Sequence, residues 1–239
     1  MNVFESLAHQ IHTEWIYLSA LFAAGILILA GLSIKRAVAG EDAGVLPDEG
    51  VSVRNVVEVI IQALGDLCEA TIGEDWRRYF PVIGAIFFFV LVSNMLSLVP
   101  GLLGSTSDRN VTLAWAIISF VVYNFVGIKR HGWKYIYQFM GPALWQPTIG
   151  GKTYHIRVLT PFFLPLEIVL HLARVGTLYI RLLANMFADH TVVMIWLGLV
   201  PIVVPAVFMG LGLLVSFLQA FVFALLTMIY IGLALEEPH

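Results

Sequence analysis

The stretch PFFLPLEIVLHLARVGTLYIRLLANMFADHTVVMIWLGLV, residues 161–200, decides the fold of this chain. It is longer than the run of about 20 apolar residues that a helix needs to cross a bilayer, yet it carries Arg181 at its middle. An arginine at the centre of a bilayer costs about 3 kcal/mol on insertion scales and ~10–17 kcal/mol in simulations of an isolated helix. A residue this costly is expected to have a function, and its surroundings should show what offsets its cost.

The composition of the whole chain indicates a membrane protein. Of its 239 residues, 59% are hydrophobic and 12% are charged, whereas about 25% of a soluble domain is charged. We predict one polytopic membrane unit over residues 1–239. The net charge of -3 gives no reason to expect a nucleic-acid partner, and the single Cys68 allows neither an internal disulfide nor a CxxC metal site. The N-terminal residues lack the basic region of a signal peptide, so the first span is expected to stay as an anchor.

Hydropathy predicts an all-α fold with about five membrane spans. They lie at about residues 15–34, 80–99, 111–128, 161–200 and 202–235. Basic pairs follow the first span, precede the second and follow the third, at Lys35–Arg36, Arg77–Arg78 and Lys129–Arg130. These pairs share one side of the membrane if the N-terminus lies outside. The positive-inside rule therefore predicts an outer N-terminus and a cytoplasmic C-terminus.

The last two predicted spans are too long for an upright crossing. Unbroken helices over 161–200 and 202–235 would measure about 60 Å and 50 Å, against about 30 Å of hydrocarbon. Pro201 marks the turn between them. We predict a hairpin of two steeply tilted helices, and the alternative is a kink near Gly176 or Gly198.

The segment between the first two spans is predicted to be amphipathic. Polar side chains recur there at helical spacing, at Glu58, Gln62, Asp66 and Glu69. Apolar residues fill the other face, as in a helix that lies along the membrane surface. An amphipathic helix packed on the protein's own loops fits the pattern equally well. One or two such interfacial helices are expected.

The polar side chains of 161–200 gather on one flank of the predicted helix. At about 100° per residue, five of them lie within about 80° of Arg181. They are Glu167, His171, Arg174, Asn185 and Asp189. His190 falls near 180°, on the opposite side. This alignment predicts the lining of a polar path through the membrane, or a face against a polar partner.

Arg181 has no predicted countercharge at its own depth. The first three spans hold no carboxylate near mid-depth, and the last span offers only Gln219, which can hydrogen-bond to a guanidinium but cannot neutralise it. The carboxylate is therefore expected from another polypeptide or a mobile anionic ligand. Arginine stays protonated at any accessible pH. Glu167 lies about 21 Å from Arg181 along the helix axis, and Asp189 lies about 12 Å from it in the other direction. The fixed charge of Arg181 would repel a hydrated proton that moved directly between these two groups.

Four segments, in this order, resemble subunit a of the F-type ATP synthase membrane sector. They are FVLVSNMLSLVPG (89–101), DRNVTLAWA (108–116), RLLANMFADH (181–190) and SFLQAFVFALLTMIYIGLALEE (216–237). The resemblance covers nearly the whole chain beyond about residue 52 and implies a stator with two offset proton half-channels. Protons would pass through them to and from the carboxylates of a rotating c ring, which couples proton flow to ATP synthesis.

The resemblance also implies roles for single residues. Arg181 matches the arginine that meets the ring carboxylate and blocks direct leak, and Gln219 matches the glutamine beside it. Asn185 and His190 match positions of the inlet half-channel. Glu167 matches the carboxylate of the cytoplasmic half-channel.

Two weaker matches complete this set. Arg174 matches a basic position one heptad before the arginine, and Asp108 resembles an acidic residue near the outer mouth. The resemblance further implies a bacterial inner membrane, no cofactor or metal, and no bond chemistry in this chain itself. The implied partners are the c ring, the peripheral-stalk b subunits, the rest of the complex and membrane lipid.

One position departs from the family pattern. The family usually places His or Glu seven residues before the glutamine, where this chain has Gly212. We predict that Asp189 takes over the missing role beside His190. Asp189 lies on the Arg181 flank at inlet depth, where a carboxylate without a function would be costly.

Simpler roles remain open for several of these residues. One alternative is that Arg181 is a buried arginine with a purely structural role. Glu167 would suit the dipole at a helix start, and His171 and Arg174 would pair with it on adjacent turns. His190 would be an ordinary packed histidine.

Two other classes of protein fit the sequence less well. A secondary transporter would use Arg181 to bind an anionic substrate, but the internal repeats and interrupted helices typical of transporters are not seen. A membrane hydrolase would need a nucleophile with its base, or a metal triad. Neither HExxH nor GxSxG occurs.

Overall fold

Seven α-helices make up most of the part of the chain that the computed structural model describes. The described residues are 3–11, 14–38, 52–99, 102, 104–132, 135, 148–149, 152–153, 160–199 and 203–236. The helices are α1 (Val3–Ile11), α2 (Trp15–Val38), α3 (Val53–Ile72), α4 (Trp76–Leu98), α5 (Arg109–His131), α6 (Thr160–Leu199) and α7 (Val203–Leu235). A 3-10 turn, Ser105–Ser107, precedes α5. Two short strands, β1 (Thr148–Ile149) and β2 (Lys152–Thr153), pair antiparallel between α5 and α6.

Five of the described helices are long and apolar enough to cross a membrane. They are α2, α4, α5, α6 and α7. This confirms the all-α polytopic fold and the number of candidate spans, since the two-residue strands form only a local pair.

Three helices, α2, α4 and α5, extend beyond their predicted ends, and the early starts of α4 and α5 have visible reasons. α4 begins at Trp76, where residue 80 was predicted, because the Trp76 ring packs edge-on against Phe80 at 5.5 Å and continues the helix outward. α5 begins at Arg109, directly after Asp108, whose side chain caps the helix by accepting a hydrogen bond from the Asn110 amide.

The two last helices are as long as predicted. α6 contains 40 residues and α7 contains 33, or about 60 Å and 50 Å at 1.5 Å per residue. α6 continues through Gly176 and ends one residue after Gly198. Their steep tilt in a bilayer stays a prediction.

α7 is the central helix of the bundle, and it packs against α3, α4, α5 and α6. Its buried face carries large side chains such as Phe223 and Met228 together with small ones such as Ala220 and Ala224. Small residues let helix backbones approach closely, which is how helices gain packing energy inside a membrane. The closest approach is at Gly232, where an added Cβ would lie 2.7 Å from the Thr71 carbonyl oxygen of α3.

The predicted amphipathic segment forms α3, which lies against the protein itself. Ser52 caps it by accepting a hydrogen bond from the Asn55 amide at 3.2 Å. Its buried face, with Leu64 and Cys68, packs against α4 and α7. Burial raises the pKa of the Cys68 thiol to about 11. The described contacts of α3 are thus with helices. An orientation along the membrane surface and packing on loops that lie outside the described residues both stay predictions.

Candidate functional site

Arg181 lies on the surface of the chain at the middle of α6. Its side chain is exposed, and no carboxylate pairs with it among the side chains that the structure describes. The side chain of Glu167 is outside the described part, but that residue lies about 21 Å away along the helix. The guanidinium is therefore available to a group outside this chain.

Asn185 and Gln219 join α6 to α7 one turn away from Arg181. The Asn185 Nδ2 donates a hydrogen bond to the Gln219 Oε1 at 2.9 Å, and Gln219 is 4% exposed. The sequence placed Gln219 at about the depth of Arg181, where it can hydrogen-bond to the guanidinium. In the structure its Oε1 accepts from Asn185, about 6 Å further along α6, and its contact with Arg181 stays a prediction.

Asp189 is half-buried on α6, and its carboxylate is incompletely satisfied. The Oδ2 atom is buried and accepts no hydrogen bond from the described protein groups. Three other buried atoms also have no hydrogen-bond partner among the described groups: the Nδ2 of Asn94, the Oγ of Ser216 and the Nε2 of Gln219. Buried polar groups of folded proteins are normally met by protein atoms or by water. These four unmet atoms belong to α4, α6 and α7, three helices that contact one another, and each of the four atoms suits a water molecule.

The 3-10 turn before α5 brings hydroxyl groups to α4 and α6. Thr106 is fully buried, and its Oγ1 donates to the Asn94 Oδ1 at 2.8 Å. The same Oγ1 lies 3.6 Å from the Met186 Sδ of α6. Two further hydroxyl pairs, Ser93–Ser105 and Ser97–Ser107, are each 3.1 Å apart and hold the turn to α4.

Asn94 and Thr106 were missed by the sequence analysis. The available signal was the group Ser93, Asn94 and Ser97 on one side of an otherwise apolar span. Polar residues at that spacing share a helix face, and they would have pointed to a polar contact between α4 and a neighbour.

The space beside Gly212 is filled by an apolar side chain. A Cβ at Gly212 would lie 2.5 Å from the Leu98 Cδ2 of α4, and Leu98 is 8% exposed. A larger residue at 212 would need Leu98 to move. α7 thus presents no titratable group at this level, whereas Asp189 of α6 does.

On the other side of Arg181, two tyrosines surround the polar residues of α6. His171 is 4% exposed, and its ring centroid lies 6.1 Å from that of Tyr123. The Arg174 guanidinium lies over the Tyr230 ring at 5.0 Å, a cation–π contact that helps to keep a charge at this depth. The predicted pairing of His171 and Arg174 with Glu167 involves a side chain outside the described part. Tyr123 and Tyr230 were not singled out for this site by the sequence analysis.

Two further predicted site residues are Asp108, which caps a helix, and His190, whose side chain is not described. Asp108 is half-buried, and its Oδ1 accepts from the Asn110 amide at 2.7 Å, as expected of a helix cap. His190 belongs to α6, but its side chain is outside the described part.

Comparison with known proteins gives one consistent family. Residues 16–232 match the family described as ATP synthase A chain. The chain is 38% identical to the ATP synthase subunit a of Geotalea daltonii over 239 residues, covering 100% of this chain and 93% of that one. It is 40% identical to the ATP synthase subunit a of Geobacter sulfurreducens over 213 residues, 89% of this chain and 86% of that one. The Bdellovibrio bacteriovorus subunit is 34% identical, with 95% and 93% covered.

Proposed function

The chain belongs to the ATP synthase A chain family, as a bacterial subunit a of the proton-translocating membrane sector, and from this premise we propose how its residues move protons. It is a multi-pass protein of the bacterial inner membrane. In the proposal it is the non-catalytic stator that faces a ring of c subunits, each with a membrane carboxylate. The peripheral-stalk b subunits hold it still, its N-terminus lies outside, and its C-terminus lies in the cytoplasm.

The observation that carries the proposal is the state of Arg181. The side chain is exposed at the middle of a 40-residue apolar helix and has no acidic partner among the described side chains. Facing lipid, it would cost several kcal/mol or more. A ring carboxylate that arrives in its charged form would offset that cost and leave again once protonated. The fixed positive charge would also repel a proton that tried to pass straight through.

Protons would reach the ring from the outer side through the region of unmet polar atoms. Asp189 and His190 would exchange protons there, while Asn185 and Gln219 hold α6 and α7 together beside the arginine. The buried Asn94, Thr106 and Ser216 would hold water along the way.

Asp189 would supply the titratable group that Gly212 does not. Leu98 occupies the space next to Gly212, and the Oδ2 of Asp189 is buried without a partner among the described protein groups. A carboxylate that exchanges protons with water explains why such an arrangement is kept despite its cost.

On the cytoplasmic side, protons would leave through Glu167 with His171 and Arg174 nearby. The contact of Arg174 with Tyr230 fixes a second positive charge in this half. Each proton that crosses 100 mV releases about 2.3 kcal/mol, and the stator would convert this release into rotation of the ring. ATP itself would be made elsewhere in the complex.

The proposal is tested by replacing Arg181. In membrane vesicles energised by respiration, Arg181→Ala should abolish ATP synthesis, because the ring carboxylate would lose its partner and protons would leak. Arg181→Lys should also impair synthesis strongly, since lysine can lose its charge on burial and lacks the planar fork of arginine.

The matched control is Arg78→Gln, which removes an exposed arginine at the start of α4. It should leave synthesis near the wild-type rate. Normal synthesis with Arg181→Ala, in vesicles that contain the usual amount of the complex, would contradict the proposed role. It would favour a transporter in which the arginine binds a substrate unrelated to ATP synthesis.

A further inference from the structure

A groove of about 500 Å³ opens between the start of α5 and one side of α6. Arg109 and Ser107 line one end, and Thr191, Phe187, Ala184 and Ile180 of α6 continue it toward mid-membrane. Thr191 and Ile180 are eleven residues apart, or about 17 Å along the helix. The groove therefore runs along α6 from the level of Thr191 to the residue that precedes Arg181.

The two ends of the groove differ in chemistry. Phe187 is 72% exposed and Ile180 is 61% exposed, so the inner part is an open apolar channel. Arg109 at the other end is exposed and forms no ion pair within the described part of the chain. Within the described lining, one arginine at one end and an apolar channel along α6 complement the charge and shape of an anionic phospholipid.

Arg109 is also a cation at an unfavourable place for its own helix. It is the first residue of α5, where the positive end of the helix dipole repels a positive side chain. The neighbouring Asp108 forms no ion pair with it among the described contacts, and the Asp108 Oδ1 accepts from the Asn110 amide. An anionic group at this point would meet the guanidinium and the positive helix end together.

We infer that this groove binds an anionic phospholipid from the leaflet in which α5 begins. The phosphate lies against Arg109 and Ser107, and one acyl chain lies along Thr191, Phe187, Ala184 and Ile180. The groove is on another side of α6 from Asn185, which faces α7. The lipid therefore fills the space beside α5, next to the surface that Arg181 presents.

Photolabelling of the intact complex in native membranes tests the inference. The probe is a phosphatidylglycerol with a diazirine in its acyl chain, and labelled residues are found by peptide mass spectrometry. Label should concentrate between residues 180 and 191. Arg109→Gln should lower this label at least five-fold, and Arg109→Lys should retain most of it, since the positive charge remains.

The control is Arg130→Gln, because Arg130 is an exposed arginine in the last turn of the same helix. It should leave the label between 180 and 191 unchanged. A phosphatidylcholine with the same diazirine should label the groove less, since it carries no net negative charge.

Three results would overturn the inference. One is equal labelling of wild type and Arg109→Gln. Another is no excess of label in the groove over Leu29, a 66% exposed residue of α2. The third is a disulfide between Ala184→Cys and a cysteine in a ring subunit, which would show that the ring fills the groove. The labelling does not depend on ATP synthesis, so its failure leaves the proposed function untouched.

Discussion

Arg181 and Asp189 are charged residues of one helix flank, and their surroundings differ. Arg181 is exposed and has no acidic partner among the described side chains, so its guanidinium is open to a group of another molecule. Asp189 is half-buried, with one carboxylate oxygen sealed from the surface and unmet by the described protein groups. The first arrangement suits a group that waits for an external partner. The second suits a group that exchanges protons with water inside the subunit.

The role of Asp189 can be tested by removing its charge while keeping its shape. Asp189→Asn should reduce proton-driven ATP synthesis at least ten-fold, because an amide cannot carry a proton from water toward the ring. Asp189→Glu should restore part of the rate. Synthesis is measured in vesicles, with the amount of assembled complex determined in parallel.

Asp66→Asn, at an exposed position of α3, is the matched control and should change little. Undiminished synthesis in Asp189→Asn, together with a complete loss on His190→Ala, would assign the inlet to the histidine alone.

The Gln219 contact shows what could and could not be predicted at the level of residues. The polar stripe on α6 was visible because helical periodicity alone places Asn185 and Asp189 near Arg181. The partner of Gln219 depends on how far α7 slides along α6. Counting residues from the helix ends does not determine this offset, so the sequence could not tell that Gln219 bonds to Asn185.

At the level of elements, α3 and α7 approach too closely for any side chain at Gly232. An added Cβ would lie 2.7 Å from the Thr71 carbonyl oxygen, a backbone atom that cannot rotate away. Gly232→Ala should therefore force the helices apart and destabilise the subunit by about 1–3 kcal/mol. The measurement is the thermal unfolding midpoint of the detergent-solubilised complex.

Gly210→Ala is the control within the same helix, because no atom lies within 4 Å of the added Cβ. Alanine favours helix over glycine by about 1 kcal/mol, so this variant should be as stable as wild type or slightly more so. If both variants unfold at the wild-type midpoint, the close contact between α3 and α7 is not formed.

The helices themselves were largely predictable, and their contacts were not. Long apolar runs determine membrane spans almost without regard to context, so α2, α5, α6 and α7 lie close to their predicted limits. α3 was ambiguous, because its amphipathic pattern is the same whether its apolar face meets lipid or protein. The hydroxyl contacts of Ser105–Ser107 with α4 were beyond reach, since short polar turns carry no periodicity.

At the level of the whole molecule, the outward-facing charge of Arg181 has a consequence for biogenesis. A newly inserted copy of the subunit carries a solvation penalty that ends only when an acidic partner docks. In cells that lack the ring protein, pulse-chase labelling should therefore show rapid proteolysis of the wild-type subunit. The Arg181→Leu variant, which has nothing to neutralise, should survive several-fold longer. Equal half-lives would mean that quality control does not sense this residue. A longer half-life of Arg181→Leu would mean that the unpaired charge of Arg181 limits how long the subunit survives before it assembles.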